Sequence, residues 1–147
     1  MSDLELDRVV AKLCLLREAG GESIAVKNAI WHVILNRVKD PRWPNTVHEV
    51  VTQKGQFSSF SANDPNVTRW PSEKNAPEWN AWLDCGAVVT SGLLADPTNG
   101  ANSYHSIPNG GYHYKDAHGN DVILNPPSWA DSSKMTLQLG RTKFYAL

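Results

Sequence analysis

The chain has 147 residues, of which 41% are hydrophobic and 20% charged, as is typical of one soluble globular domain. Its 14 basic and 15 acidic side chains give a net charge of −1 with no basic block, which argues against nucleic acid as the main partner. No stretch approaches the roughly 18 uninterrupted apolar residues of a membrane-spanning helix. We therefore expect a single domain over residues 1–147 that contacts neither nucleic acid nor the membrane interior.

The first half of the chain predicts two long helices and a short one. Apolar residues recur at helical spacing over 4–18, and Gly20-Gly21 end this helix. Ser23 is a suitable cap for a second helix over 24–38, which is apolar on most sides and therefore buried. Thr46 has capping-box spacing ahead of a short third helix.

The second half predicts fewer regular elements. Residues 55–76 are rich in Ser, Asn, Pro and Gly and read as a long ordered loop, a kind of segment that is often functional. A helix is expected over 77–95, and a loop or small hairpin over 99–133. Residues 135–147 alternate enough for one short closing strand. The expected fold class is α+β, mostly α with a small β element.

Polar and aromatic residues outside apolar runs are candidates for contact with a ligand. Asn28, His32 and Asn36 fall four residues apart on one helix face, which is either a solvated stripe or the wall of a cleft. Tryptophans in Pro- and Asn-rich stretches offer flat surfaces for sugar rings, although core packing explains a tryptophan more often. These tryptophans are Trp43, Trp70, Trp79 and Trp82.

Cysteine and histidine usage gives little support for a metal site. Cys14 and Cys85 are far apart in predicted helices, so buried free thiols are expected rather than a disulfide or a zinc site. His105, His113 and His118 share one loop-rich segment without HExxH or HxH spacing. No GxSxG elbow or phosphate-binding loop is present. We expect no metal and no cofactor, with an amidase-type zinc site on these histidines as the alternative.

Glu18 is the strongest candidate for acid–base chemistry. It ends a helix whose inward positions are Leu and Val, and both an apolar environment and a helix C-terminus raise the pKa of a carboxyl group. A surface ion pair with Arg17 or Lys12 is the ordinary alternative. Glu22 follows across the two glycines, where it either lines the same cleft or fixes the turn.

Six pieces of the chain, in order, resemble a known family. They are REAGGE, the helix IAVKNAIWHVILNRV, the stretch from WPNTV to GQFSSF, ADPTNGANSYH, PPSWA and LGRTKFY. They resemble the E-A-R-G-E, A-V-A-x-V-x-L-N-R-V, W/F-P-x-T-V with G-x-F-S/T, DPT-x-GA, P-x-W and closing FY segments of the SleB-type cell-wall hydrolases. The resemblance covers nearly the whole chain.

The resemblance implies a small lysozyme-like catalytic domain that acts on the glycan strands of peptidoglycan. Family members that cleave glycan are lytic transglycosylases, which leave a 1,6-anhydro end. The family's catalytic glutamate corresponds to Glu18 and its second glutamate to Glu22. The residues expected at the substrate are Glu22, Gln56, Phe57, Ser58, Tyr104 and His105.

The chain departs from the family pattern at two places. Gly20 replaces the family's usual arginine, which removes any charge partner that this arginine gives Glu22. Thr142-Lys143 stands where the closing motif usually has a histidine, in a piece that looks structural. Neither departure touches Glu18.

The expected reaction is lytic transglycosylation with Glu18 as the sole acid–base group, supported by Gln56, Ser58 and Tyr104. One alternative is a muramidase in which Glu22 or Asp64 positions water, and another is the amidase. From a different class, the chain would be a glycan-binding subunit of a cell-wall or virion assembly. These alternatives differ in the fragments that they release from peptidoglycan.

The place of action is also an expectation. The chain shows no export signal and no peptidoglycan-binding repeat, which suits a phage endolysin made in the host cytoplasm that acts on the cell wall. Such an enzyme is expected to be a monomer whose partner is the glycan strands of peptidoglycan.

Overall fold

Helices dominate the first two thirds of the chain in the computed structural model, which describes residues 2–60, 64–91 and 95–147. The helices are α1 (Asp3–Ala19), α2 (Ile24–Lys39), α3 (Val47–Thr52) and α4 (Ala76–Ser91). Two short 3-10 turns, Ser58–Phe60 and Pro65–Thr68, interrupt the predicted long loop between α3 and α4.

The predicted caps explain where α2 and α3 begin. The Ser23 hydroxyl accepts a 3.3 Å hydrogen bond from the backbone N–H of Val26, and the Thr46 hydroxyl accepts a 3.4 Å bond from that of Glu49. Each cap satisfies one of the N–H groups that have no partner inside the helix. The first three helices therefore begin within one residue of their predicted starts.

The β elements follow α4. In chain order the strands are β1 (Ser103–Ser106), β2 (His113–Lys115), β3 (Asp121–Ile123), β4 (Met135–Leu139) and β5 (Thr142–Tyr145). β1, β5 and β4 form an antiparallel sheet in that order, and β2 pairs with β3 as a separate hairpin. The mostly α, α+β fold class is therefore confirmed.

Two details of the sequence prediction are wrong. The single closing strand is in fact the β4–β5 hairpin, which turns at Gly140, where φ is +56°. Glycine adopts this left-handed backbone conformation without the steric cost that other residues pay. The fourth helix was expected to reach Ala95, but Ala95 lies in a bend; residues 92–94 lie outside the described part of the chain.

The apolar core lies between the four helices and extends to β5. Its fully buried members include Leu15, Leu16, Val33, Ile34, Val50, Val88 and Phe144. Cys14 and Cys85 are buried and free, as predicted. Among the described helices, none is long and apolar enough to cross a membrane.

A polar contact joins α2 to the segment that leads into β1. Asn36 donates to Oδ2 of Asp96 at 2.9 Å and to the carbonyl of Ala101 at 2.8 Å. Burial raises the pKa of Asp96, but hydrogen bonds from Thr98, Asn36 and Gly100 outweigh it and lower this pKa to about 2. Asn28 and Asn36 are half-buried and His32 is buried, and none of the three lines the cavity described below.

Candidate active site

Glu18 lies in the last turn of α1, at the wall of a cavity of about 500 Å³. The cavity is bounded by α2, the segment before and after α3, β1 and the C-terminal part of the chain. The lining residues are Glu18, Arg37, Trp43, Gly55, Gln56, Phe57, Ser58, Ser103, Tyr104, Trp129 and Leu147. Aromatic walls with a few polar groups are typical of a small-molecule or sugar site.

Opposing effects set the protonation of Glu18. Burial raises the pKa of its carboxyl group, hydrogen bonds from the Ser59 hydroxyl and backbone N–H lower it, and the negative charge of Asp64 raises it. The Ser59 hydroxyl donates to Oε1 of Glu18 at 3.1 Å. The net effect is a raised pKa, as expected for a carboxyl group that acts as a general acid.

The ion pair that was the ordinary alternative for Glu18 does not form. The Lys12 ammonium group lies 4.2 Å from the ring centroid of Trp82. Arg17 forms no ion pair with Glu18, and its Nε donates to the carbonyl of Arg69 at 3.2 Å. Neither cation therefore offsets the cost of burying the Glu18 carboxylate.

Arg17 instead holds the segment that contacts Glu18. It is 5% exposed, and its Nη1 donates to the carbonyl of Ser59 at 3.4 Å. Its guanidinium carbon lies 5.1 Å from the ring centroid of Phe60 and 4.8 Å from that of Trp70. Arg17 thus fixes the backbone of Ser59, the residue that donates to Glu18.

Tyr104 brings a neutral hydroxyl group to the same cavity. Its ring packs between Phe57, at a centroid distance of 6.4 Å, and Phe144, at 5.9 Å. Burial and then the negative charge of Glu18 raise the pKa of Tyr104 well above its usual value. The hydroxyl group therefore stays protonated and available as a hydrogen-bond donor.

Arg37 is a buried cation at the cavity wall. It is 7% exposed, and its guanidinium carbon lies 5.4 Å from the ring centroid of Trp43 and 5.3 Å from that of Phe57. Its Nε donates to the carbonyl of Asn102 at 2.6 Å. Its Nη1 is buried without a hydrogen-bond partner among the described residues.

Four of the predicted substrate-contacting residues line the cavity with Glu18, namely Gln56, Phe57, Ser58 and Tyr104. Glu22 is not among the residues that line it. The turn at Gly20 and Gly21 leaves Glu22 exposed beyond the end of α1, and its carbonyl oxygen accepts from the buried Lys27 ammonium group. The contribution of Glu22 is therefore to the turn between α1 and α2.

His105 also lies outside the lining, because neighbouring residues on a strand face opposite sides. Its Nε2 is 2.9 Å from the hydroxyl of Tyr145, and its Nδ1 is 3.1 Å from that of Tyr112. Its ring meets the edge of Trp129 at 5.8 Å. His105 thus supports Trp129, which does line the cavity, while Tyr104 faces the cavity itself.

Sequence reasoning missed Arg37, Ser59 and Trp129. Arg37 lies three and four residues after the buried Ile34 and Val33, on the same face of a helix that is buried on most sides. This spacing was the one signal in the sequence that Arg37 is an interior arginine. Ser59 stands next to Ser58, and only the three-dimensional turn shows which of the two reaches Glu18. Trp129 belongs to a segment without regular structure.

The described residues give no geometric support to the metal-dependent alternative. Among residues 2–60, 64–91 and 95–147, no three His, Cys, Asp or Glu side chains are close enough to hold a metal ion. His113 lies on β2 and His118 follows it in a turn, whereas both ring nitrogens of His105 contact tyrosine hydroxyls.

The fold and the site together define a mostly helical domain with a protonatable carboxyl group in an aromatic cavity. A family model described as Cell Wall Hydrolase matches residues 21–145. The chain therefore belongs to the cell wall hydrolase family, and the expectation of a cell-wall-degrading enzyme is confirmed. The matched range begins after Glu18, so it does not itself cover that residue.

A solved structure with a similar fold is the catalytic domain of the germination-specific lytic transglycosylase SleB from Bacillus anthracis. It has a TM-score of 0.63 and 23% sequence identity, and the match covers 99% of this chain and 97% of that one. The likeness confirms the predicted lysozyme-like fold. A search of curated proteins found no match.

Proposed function

We propose that this protein is a lytic transglycosylase that cleaves peptidoglycan between N-acetylmuramic acid and N-acetylglucosamine. The observation that carries the proposal is the environment of Glu18, a carboxyl group whose burial raises its pKa at the wall of an aromatic cavity. Among the described residues that line this cavity, Glu18 is the one with an acidic side chain. One carboxyl group is enough for intramolecular transglycosylation, whereas most glycosidases use two.

Glu18 acts first as an acid and then as a base. In its protonated form it donates its proton to the glycosidic oxygen, and the bond between this oxygen and the muramyl anomeric carbon breaks. The Glu18 carboxylate then accepts the proton of the muramyl C6 hydroxyl group, whose oxygen attacks the anomeric carbon. The products are a free N-acetylglucosamine hydroxyl group and a 1,6-anhydromuramyl end, and Glu18 is protonated again.

Neutral polar groups are available to support the transition state. The proposal assigns this role to the hydroxyl groups of Tyr104 and Ser58 and to the amide of Gln56, all of which line the cavity. Fixed dipoles at the reacting centre stabilise developing charge without the reorganisation that water requires. Phe57 and Trp129 offer apolar surfaces for sugar rings.

One observation favours a hydrolytic alternative, a muramidase. The charge of Asp64 raises the pKa of Glu18, so the two carboxyl groups are close enough to interact. Asp64, however, caps the following 3-10 turn, where its Oδ1 accepts a 2.7 Å hydrogen bond from the backbone N–H of Asn66, and it does not line the cavity. Transglycosylation is therefore the preferred assignment.

Digestion of peptidoglycan in water enriched in oxygen-18 separates the two reactions. Mass spectrometry of the new muramyl ends is expected to show anhydro ends without the heavy isotope. Reducing ends that carry one heavy oxygen would establish hydrolysis and would return attention to Asp64. Retention on sacculi without release of any fragment would favour the glycan-binding alternative.

The proposed biological role is lysis of a bacterial host by an endolysin that reaches the wall from the cytoplasm. Both the role and the place of action stay predictions. Expression in the cytoplasm of a bacterium should lyse the cells only when a pore-forming holin is expressed as well. The Glu18→Gln variant should fail to lyse them under both conditions.

A further inference from the structure

Arg37 differs from the other buried arginine in its access to the cavity. Arg17 is held by two carbonyl oxygens and two aromatic rings away from the lining. Arg37 lines the cavity, has one carbonyl partner through Nε, and has an Nη1 group without a partner among the described residues. A buried donor without an acceptor costs free energy unless a ligand or water supplies one.

No acidic side chain neutralises Arg37. None of the described aspartates and glutamates lies within ion-pair distance of its guanidinium group, and the residues outside the described ranges include no acidic side chain. Buried charges in proteins are normally paired. The aromatic rings of Trp43 and Phe57 both lie against the guanidinium group.

This end of the cavity therefore holds a buried cation whose hydrogen bonding is incomplete. Arg42 adds a second guanidinium group 4.8 Å from the ring centroid of Trp43, but Arg42 is exposed and already paired with Asp40 at 2.8 Å. Arg37 is thus the cation with unsatisfied hydrogen-bonding capacity. Its planar donors match a carboxylate, which they can bind through two parallel hydrogen bonds.

We propose that Arg37 binds a carboxylate of the peptide stem that peptidoglycan carries on its muramyl residues. This inference rests on the proposed function, since it concerns the same cavity and substrate. N-acetylglucosamine carries no charge, and the lactyl carboxyl group of N-acetylmuramic acid is an amide where a stem peptide is attached, so the carboxylates of peptide-bearing glycan lie on the stem peptides. Arg37 is then a specificity-determining residue that selects glycan with attached peptides and does not touch the glycosidic bond.

Binding measurements on a non-cleaving protein test this directly. We would titrate the Glu18→Gln variant with a soluble disaccharide–peptide fragment of peptidoglycan, and with the same fragment after its amines are acetylated and its carboxylates converted to amides. An amine-acetylated fragment with free carboxylates is the reference. Loss of a charge-assisted pair is expected to raise the Kd by about tenfold or more on amidation.

Two further variants in the Glu18→Gln background assign the effect to Arg37. With Arg37→Met added, the reference and amidated fragments should bind with the same weak Kd, whereas Arg37→Lys should keep part of the difference. Arg42→Met is the matched control, because it removes a guanidinium group from the other position on Trp43, and it should keep the full difference. Circular dichroism establishes that each variant is folded.

The inference is overturned if amidation leaves the Kd of the Arg37-containing protein unchanged, a result that stands even if Arg37→Met does not fold. It is also overturned if Arg37→Met retains the tenfold difference. Failure of the proposed function looks different. In that case the wild-type protein releases no fragments from peptidoglycan, while carboxylate-dependent binding through Arg37 is still measurable.

Discussion

The Ser59 hydroxyl donates a 3.1 Å hydrogen bond to Oε1 of Glu18 across 41 positions of the chain. This bond ties the end of α1 to the loop between α3 and α4, and it stabilises the charged form of a carboxyl group that burial would otherwise keep neutral. Ser59 therefore limits how far the pKa of Glu18 rises. The balance between these effects decides the pH range in which the protein works.

Ser59→Ala should move this pH range upward. Without the hydroxyl donor the Glu18 carboxylate is less stable, its pKa rises further, and Glu18 keeps its proton to higher pH. The alkaline limb of the kcat/KM profile for fragment release should shift to higher pH. Ser58→Ala is the control, because no hydrogen bond joins Ser58 to Glu18. The alkaline limb of the Ser58→Ala profile should stay at the wild-type pH. A shift of the Ser59→Ala limb to lower pH would contradict the account.

Glu18→Gln should be more stable than the wild type at neutral pH. A raised pKa means that the folded protein holds this proton more tightly than the unfolded chain. The resulting stabilisation is complete below the ordinary value of about 4.5, and it is lost as the pH rises through the folded-state pKa. Urea unfolding at pH 7 should therefore show a larger free energy of unfolding for Glu18→Gln than for the wild type. The difference should disappear at pH 4.

Glu5→Gln is the matched control on the same helix. Hydrogen bonds from the Ser2 backbone and hydroxyl lower the pKa of Glu5, which is exposed. The stabilisation from Glu5 is thus present above its ordinary pKa and is lost in acid. Glu5→Gln should lose stability at pH 7, the opposite of Glu18→Gln. The explanation fails if both variants change in the same direction.

Arg17→Met should weaken both the fold and the activity. It keeps an apolar chain between Phe60 and Trp70 but removes the donors to the carbonyl groups of Ser59 and Arg69. The Ser59 carbonyl group is buried, and leaving it without a partner costs about 1–3 kcal/mol, so the free energy of unfolding should fall by about that amount; water can reach the part-buried carbonyl group of Arg69. Because Ser59 is then less well fixed, the alkaline limb of the kcat/KM profile should also shift to higher pH, toward that of Ser59→Ala. Unchanged stability would show that Arg17 does not hold this loop.

The side chain of Arg69 occupies the space beside Gly20. A Cβ atom at residue 20 would lie 2.5 Å from Nη2 of Arg69 and 2.5 Å from the carbonyl oxygen of Leu16. Arg69 is held there by Glu78, whose carboxylate accepts at 2.7 and 3.0 Å. Gly20 replaces the arginine of the family pattern, and the guanidinium group of Arg69, 49 positions later in the chain, occupies the space that a side chain at residue 20 would need.

A double-mutant cycle tests this match. Gly20→Ala should cost about 1–3 kcal/mol through overpacking, and less when Arg69→Ala has already cleared the space. Part of the cost should persist, because the contact with the backbone of Leu16 does not depend on Arg69. Urea unfolding of the four proteins gives the coupling energy. Additivity within about 0.3–0.5 kcal/mol would mean that the two residues do not compete for one space.

The helices were predictable because their signals are local. Ser23 and Thr46 cap the helices that follow them, and a hydroxyl group in that position acts within a few residues. The sheet was less predictable, since pairing of β1 with β5 joins residues about 40 positions apart, such as Ser103 and Tyr145. Nothing local marks residues 103–106 as a strand.

In the candidate site, too, residues with a local sequence signal were predictable, whereas residues whose role depends on distant contacts were not. The end of a helix and its apolar face directed attention to Glu18, and the family resemblance added residues 56–58 and Tyr104. Arg37 and Ser59 could not be assigned, because their roles depend on contacts with Asn102 and Glu18 across 65 and 41 positions. Glu22 comes four residues after Glu18, but the turn at Gly20 and Gly21 leaves it outside the cavity lining. His105 is next to Tyr104, but neighbouring residues on a strand face opposite sides, so His105 is outside the lining as well.

The central claim is that Glu18 is the sole acid–base group, and the most direct test compares fragment release from purified peptidoglycan by the wild type and by Glu18→Gln. The wild type should release anhydromuramyl fragments detectable by mass spectrometry. Loss of a general acid typically costs 10²–10⁴-fold in rate, and here one group serves both steps, so the folded variant should release essentially none. Activity of Glu18→Gln within about tenfold of the wild type would contradict the account.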